Sequence, residues 1–252
     1  HQSKLIGDSI NYAQNIQRAI LPTQVEMNEE FNDHFVFFLP KDVVSGDFYW
    51  MYKIPESNKV LFSVADCTGH GVPGAFMSIV GHALLEKIAK QLNIHSPAKV
   101  LNQLAFELQN TLKKGEGAVD DGMDMALVMV DYDTNTVHFA GARNPLVFIS
   151  DQELTLYKGD RIDLGKQSDV DFKQATIKFK TGDMLYMFTD GFPDQKGGRD
   201  GKKYYPVRFR DFIKEISSES MSDQKQRIWS EFENWKGKKE QMDDVLVAGI
   251  QL

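Results

Sequence analysis

Short β-forming runs recur along this chain with paired helical segments inserted between them. That order restricts the fold to sheets packed face to face with helices outside. The run His34-Phe35-Val36-Phe37-Phe38-Leu39 opens the series, followed by residues 48–53 and 59–65. Pro73 suits a first helical turn, and the Ala, Leu and Ile content of residues 75–91 predicts a helix. Ser96-Pro97 caps a second helix, reaching about Leu112. Beyond the Gly-rich acidic loop at residues 115–122, a meander is expected over residues 125–131, 136–140, 146–149 and 154–158, continuing over 172–179 and 184–189. Asp133-Thr134-Asn135 supplies turn chemistry for its first hairpin. Helices over 207–216 and 222–235 and a closing strand over 245–251 complete the pattern.

The 252 residues suffice for one large core, and a 42% hydrophobic content is that of an ordinary globular chain, so one domain with an appendage is expected. A net charge of -7 argues against nucleic-acid binding, which rests on excess lysine and arginine. A single cysteine, Cys67, excludes an internal disulfide framework and fits a reducing compartment. No long apolar run and no secretory signal are visible. The expected location is therefore the cytoplasm, with a membrane anchor in a longer parent chain left open.

Four aspartates fall where an apolar run begins or ends: Asp47, Asp66, Asp190 and Asp243. A lone aspartate there is ordinarily a turn residue or helix cap. Several carboxylates converging on rigid strand ends repel one another unless a cation neutralises them, and an oxygen-rich set suits Mg²⁺ or Mn²⁺ rather than Zn²⁺.

Gly69-His70-Gly71-Val72-Pro73-Gly74 also fits the G-x-G-x-x-G pattern of a dinucleotide turn, an oxidoreductase reading. Asp66 just before it opposes a pyrophosphate, and about twenty residues on the chain reads as helix where that fold needs a strand ending in an acid. Cys67 and His70 are too few for zinc, and no arginine follows Cys67 to cradle phosphate for a thiol nucleophile.

Five strings occur together in order: Val44-Ser45-Gly46-Asp47-Phe48, the run from Asp66 to Ala75, Ala140-Gly141-Ala142-Arg143-Asn144-Pro145, Thr189-Asp190-Gly191, and Asp243-Asp244. Together they resemble the metal-dependent protein phosphatase superfamily (PPM) in its bacterial SpoIIE-like branch, over residues 35–252. The resemblance implies an α/β (α+β) fold, a four-layer α/β/β/α sandwich of two mainly antiparallel sheets flanked by helices, with two Mn²⁺ or Mg²⁺ ions at one end. It implies that Asp47, Asp66, Asp190 and Asp243 hold the metals, with Asp66 bridging, the backbone carbonyl of Cys67 adding a ligand, and Asp243 preferred to Asp244. The implied activity is hydrolysis of phosphoserine or phosphothreonine in a regulatory protein, such as an anti-sigma factor antagonist. The alternative within the same fold is a regulatory module that binds a partner without hydrolysis. Ser45 and Arg143 depart from the branch, which commonly has glycine and asparagine there; substrate contacts are where this bears.

Residues 1–22 are expected as a linker or regulatory helix and 23–34 as a connecting segment before the phosphatase domain at 35–252. Ile6, Ile10, Ala13 and Ile20 form a coiled-coil-like seam interrupted at Gln17. Packing onto its own domain and homodimerisation in response to an upstream sensor are both open at this level.

Overall fold

Strand alternation sorts the apolar residues of this chain into three buried layers, which define the architecture in the computed structural model. The structure describes residues 2–112 and 121–252, with side chains from residue 7 onward. One antiparallel sheet has the order β2 (Asp47–Lys53), β3 (Lys59–Cys67), β4 (Met123–Asp131), β5 (Thr136–Ala142), β8 (Ala175–Lys178). The other runs β1 (Asp33–Leu39), β12 (Val245–Gln251), β9 (Met184–Phe188), β6 (Leu146–Ser150), β7 (Glu153–Tyr157), again antiparallel throughout.

On β3, Val60, Phe62 and Val64 point between the sheets and meet Leu246, Ala248 and Ile250 of β12. The intervening Leu61, Ala65 and Cys67 point outward against α3 (Gly71–Glu86), its π-helical extension Lys87–Gln91, and α4 (Pro97–Leu112). On the far side, Val245 and Val247 pack with Phe209, Ile213, Ile228 and Phe232 of α6 (Pro206–Ile216) and α7 (Met221–Lys236). The four layers implied by the resemblance are therefore present, and period-two alternation is what separates them.

Three local expectations differ. The connecting segment contains α2 (Gln24–Glu30), because Thr23 and Glu26 form a capping box: the Glu26 amide donates to Thr23 Oγ1 at 3.2 Å and the Thr23 amide to Glu26 Oε2 at 2.8 Å. The strand expected over 172–179 shortens to β8, since Phe172 is buried against the α4 side and its amide donates to Asn102 Oδ1 at 2.9 Å instead of pairing in a sheet. Between β9 and α6 lie a short helix, α5 (Gly191–Asp194), and a small hairpin of β10 (Lys196–Gly197) and β11 (Lys202–Lys203), anchored by the fully buried Phe192. Most of the loop expected at 115–122 lies outside the described residues.

The first helix, α1 (Gln2–Ile20), lies on α3 with the expected seam turned toward its own domain. Ile10, Ala13 and Ile20 are half-buried, and the side chain of Ile6 lies outside the described set. The polar interruption is the best-buried position. Gln17 is 4% exposed, donates to Ser45 O and to Ser78 Oγ (2.8 Å), and accepts from the Ser45 amide at 2.9 Å. A buried amide satisfied on both ends specifies one docking of α1. No helix among the described residues is long and apolar enough to cross a membrane.

Candidate functional site

At one end of the inter-sheet layer the same alternation that delivers valines and leucines delivers carboxylates. Asp47 and Asp66 are paired across β2 and β3, and Asp66 and Asp124 across β3 and β4. All three share the face of Val64 and Ala126, which looks into the sandwich. The second sheet contributes Thr189 and Asp190 just after β9, and Asp243 and Asp244 just before β12. Thr189 Oγ1 donates to Asp47 Oδ2 at 2.6 Å, and the Thr189 amide donates to Leu246 O at 3.0 Å. This hydroxyl ties one sheet's carboxylate to the other sheet. The negative charge of Asp190 is the strongest of those that bear on Asp66.

Burial raises the Asp66 carboxyl to about 8, reinforced by the negative charges of Asp190, Asp243 and Asp124. Asp47, 2% exposed, is pushed well above the ordinary carboxylate range by burial and then by Asp66, against the Thr189 hydrogen bond. Asp190 is raised by burial, then by Asp194 and Asp243. Asp124 rises to about 6 through burial, opposed by Arg143. Such a cluster is costly as anions and inexpensive as acids until a cation arrives.

Among the described residues no three His, Cys, Asp or Glu side chains are already set as a metal cage. The donor set nevertheless fits hard divalent cations. It is all oxygen, it spans both sheets, and the charges bearing most strongly on Asp66 are all negative.

The terminal pair divides its labour. Asp244, 2% exposed, accepts from the Lys41 amide at 2.8 Å and the Gly46 amide at 2.7 Å, so both its oxygens fasten the loop that leads into Asp47. Asp243 is exposed, and its charge is felt at Asp47, Asp66 and Asp190. The structure thus brings Asp47, Asp66, Asp190 and Asp243 to one end. Sequence reasoning assigned no role to Thr189 or Asp124, treated Asp244 only as the less favoured of the terminal acids, and read Gln17 as a polar interruption of the helical seam. For Asp124 the only signal was an acid at the start of a β run.

The glycine run serves backbone packing. A Cβ on Gly74 would stand 2.2 Å from Gly69 O and 2.9 Å from Gly46 Cα, and one on Gly46 would stand 2.5 Å from Gly69 O. This close approach sets the Cys67 carbonyl against the Gly46–Asp47 turn. The dinucleotide reading fails, because β3 pairs antiparallel on both edges where a parallel βαβ unit is required. The Cys67 side chain packs in the core, with burial first and Asp66 next raising its thiol far above the reactive range. His70 turns instead to Asp42, Nδ1 to Oδ2 at 2.7 Å.

Two antiparallel sheets between helical layers, with a carboxylate cluster closing one end, define a PP2C-type phosphatase domain. The family model "Stage II sporulation protein E (SpoIIE)" matches residues 56–252, and the chain belongs to this SpoIIE family. Phosphoserine phosphatase RsbU of Bacillus subtilis (strain 168) is 30% identical over 192 residues, covering 74% of this chain and 53% of that protein. The chain therefore spans about half the length of this curated relative. The SiaA-PP2C domain of Pseudomonas aeruginosa is similar at 32% identity with a TM-score of 0.90, covering 100% of this chain and 99% of that one. RsbX, at 13% identity and a TM-score of 0.58 over 87% of this chain and 94% of that one, shares the fold.

Proposed function

We propose that this chain hydrolyses phosphoserine or phosphothreonine in a regulatory protein, with water activated by two Mn²⁺ or Mg²⁺ ions held by Asp47, Asp66, Asp190, Asp243 and the Cys67 carbonyl. The observation that carries the reading is the convergence of carboxylates from both sheets at one end, with Asp47, Asp66 and Asp124 paired across β2, β3 and β4 and Thr189 Oγ1, next to Asp190, donating to Asp47 Oδ2 at 2.6 Å. RsbX is described in complex with magnesium, and RsbU as a phosphoserine phosphatase, which supports the choice of ion and substrate class. Bound cations at such a site lower the pKa of water and neutralise phosphoryl oxygens.

The chain's own residues prepare for this. Asp66, whose carboxyl burial raises, would release its proton in holding a cation. Thr189 holds Asp47 in one orientation, and Asp244 fixes the loop that presents it. No side chain is asked to act as nucleophile, since the Cys67 thiol is buried and protonated. A non-hydrolysing partner-binding module has no use for four convergent acids that cost stability.

The test is hydrolysis of a phosphoserine peptide with Mn²⁺ and with excess EDTA. Activity should require the metal, fall about 100-fold or more in Asp66→Asn and Asp190→Asn, and persist in Cys67→Ser. Full activity in EDTA would end the metal-dependent reading, and a dead but folded Cys67→Ser protein would restore the thiol.

The same proposal includes regulation. Residues 35–252 act as the phosphatase unit, and α1, reached from an upstream sensor in a longer chain, passes a signal through Gln17 to the Ser45–Asp47 turn. The substrate is a phosphorylated regulator of the anti-sigma factor antagonist kind, met in the cytoplasm. A solvent-exposed side of α1, turned away from Gln17, carries Tyr12 (69% exposed) and Ile16 (42%), which suits a second copy of the helix. Sedimentation of the chain beside a Tyr12→Asp, Ile16→Asp variant checks this: a concentration-dependent dimer lost in the variant is expected, and identical monomers would contradict it.

A further inference from the structure

A cleft of about 260 Å³ opens beside the acid cluster, lined by Asp66, Asp124 and Asp190 together with Arg143, Asp163 and Lys166. A phosphate monoester arriving there brings two negative charges into a space already rich in carboxylates. Cations, if held by Asp66 and Asp190 as proposed above, would neutralise part of that charge. The remaining non-bridging oxygens require donors from the protein, and Arg143 is placed to supply them.

The backbone around Arg143 is built to hold that side chain in place. Arg143 has φ +59°, and the Asn144 amide donates to Ala142 O at 2.6 Å, which closes a three-residue turn of the strained γ type around it. The Arg143 amide donates to Asp160 O at 2.8 Å. Gly141 and Gly159 press against the Asn144 carbonyl, at 2.3 and 2.8 Å from where a Cβ would stand. Glycine would occupy position 143 with less strain, so an arginine there carries a conformational cost. Strain of this kind persists where the surroundings over-determine it, and functional sites are where it concentrates.

The guanidinium is occupied but not committed. Its Nε donates to Asp163 Oδ1 and lies 3.8 Å from Asp124 Oδ1, while Lys166 Nζ stands 3.2 Å from Asp163 Oδ2. The Arg143 side chain is 50% exposed. A solvent-accessible pair of that kind is worth little net, so a dianion that takes both arms of the fork displaces it readily. Asp163 keeps Lys166 as a second partner when Arg143 leaves.

We propose that Arg143 binds the non-bridging oxygens of the phosphoserine or phosphothreonine phosphate, exchanging Asp163 for substrate as it enters the cleft. This rests on the phosphatase reading above and deepens it: Arg143 is a substrate-binding residue, and Asp163 holds it in the open cleft.

The experiment measures inorganic phosphate binding by titration calorimetry on the Mn²⁺-loaded chain, and in parallel the KM and kcat for a phosphoserine peptide. Wild type is compared with Arg143→Ala, Arg143→Lys and Asp163→Asn. Arg143→Ala should weaken phosphate binding and raise KM by about 10- to 100-fold, the scale of a lost charged hydrogen bond. Arg143→Lys should fall between, because an ammonium keeps the charge and loses the fork. Asp163→Asn should tighten phosphate binding several-fold, on the order of 3-fold, since the competing carboxylate is gone. Mn²⁺ affinity should be unchanged in all three. Phosphate bound by Arg143→Ala as by wild type overturns the proposal, as does an Asp163→Asn variant that weakens binding as the alanine does, which would mark the pair as structural. If wild type binds phosphate through Arg143 yet leaves the peptide intact, the hydrolytic reading fails and the anion site stands.

Discussion

The space between the two sheets changes character along its length while the scaffold that lines it does not. Through most of that layer Val60, Phe62 and Val64 face Leu246, Ala248 and Ile250. Two residues beyond Val64 on the same face of β3 stands Asp66, with Asp47 and Asp124 on the neighbouring strands and Asp244 just before β12. Burial in the first region is favourable at about 25 cal/mol per Å² of apolar surface. In the second it is opposed by the desolvation of carboxylates. The apolar length holds the acidic end together, and the acidic end gives up stability in exchange for an affinity for cations.

That contrast can be broken from either side. Leu246→Ala, at a fully buried position between the sheets, should cost about 2–5 kcal/mol in denaturant unfolding while leaving Mn²⁺ stoichiometry intact. A loss of metal binding at full stability would show the regions are not separable as described. The acidic end makes a smaller prediction with a definite sign. The folded chain holds the Asp66 proton up to about pH 8, and the unfolded chain only to about pH 4. Between those values the folded state binds more protons, so raising pH favours unfolding. In EDTA, thermal stability should therefore fall as pH rises from about 4 to about 8 on this account. Asp66→Asn and added Mn²⁺ should each flatten the slope. A stability that instead rises across that window would place these carboxylates in an environment that favours their charge.

Much of the architecture was legible because apolar periodicity and turn chemistry are local. Strands such as β3 and β12, and helices α4, α6 and α7, appear within a few residues of where the patterns put them. The capping box at Thr23 and Glu26 was also local, yet the segment around Pro22 read as a linker. The site was legible as separate acids at strand ends and as a set of resembling motifs. Their meeting was not, because register between β2, β3 and β4 and contact between two sheets are properties of tertiary pairing. The same holds for Thr189, whose partner Asp47 is 142 residues away, and for Gln17, which reads as a flaw in an apolar seam until its bonds to Ser45 are seen. The choice of Asp243 over Asp244 rested on resemblance. The structure adds a physical reason: Asp244 has both oxygens engaged by backbone amides.

The central claim is that the acidic end is a site for two divalent cations. Titration of the metal-free chain with Mn²⁺, read by calorimetry together with proton release into buffers of different ionisation enthalpy, addresses it directly. The account predicts two ions bound per chain, protons released as Asp66 and its neighbours ionise, and loss of at least one ion together with most of the proton release in Asp66→Asn. Absence of binding, or binding in Asp66→Asn with wild-type stoichiometry and proton release, would contradict it.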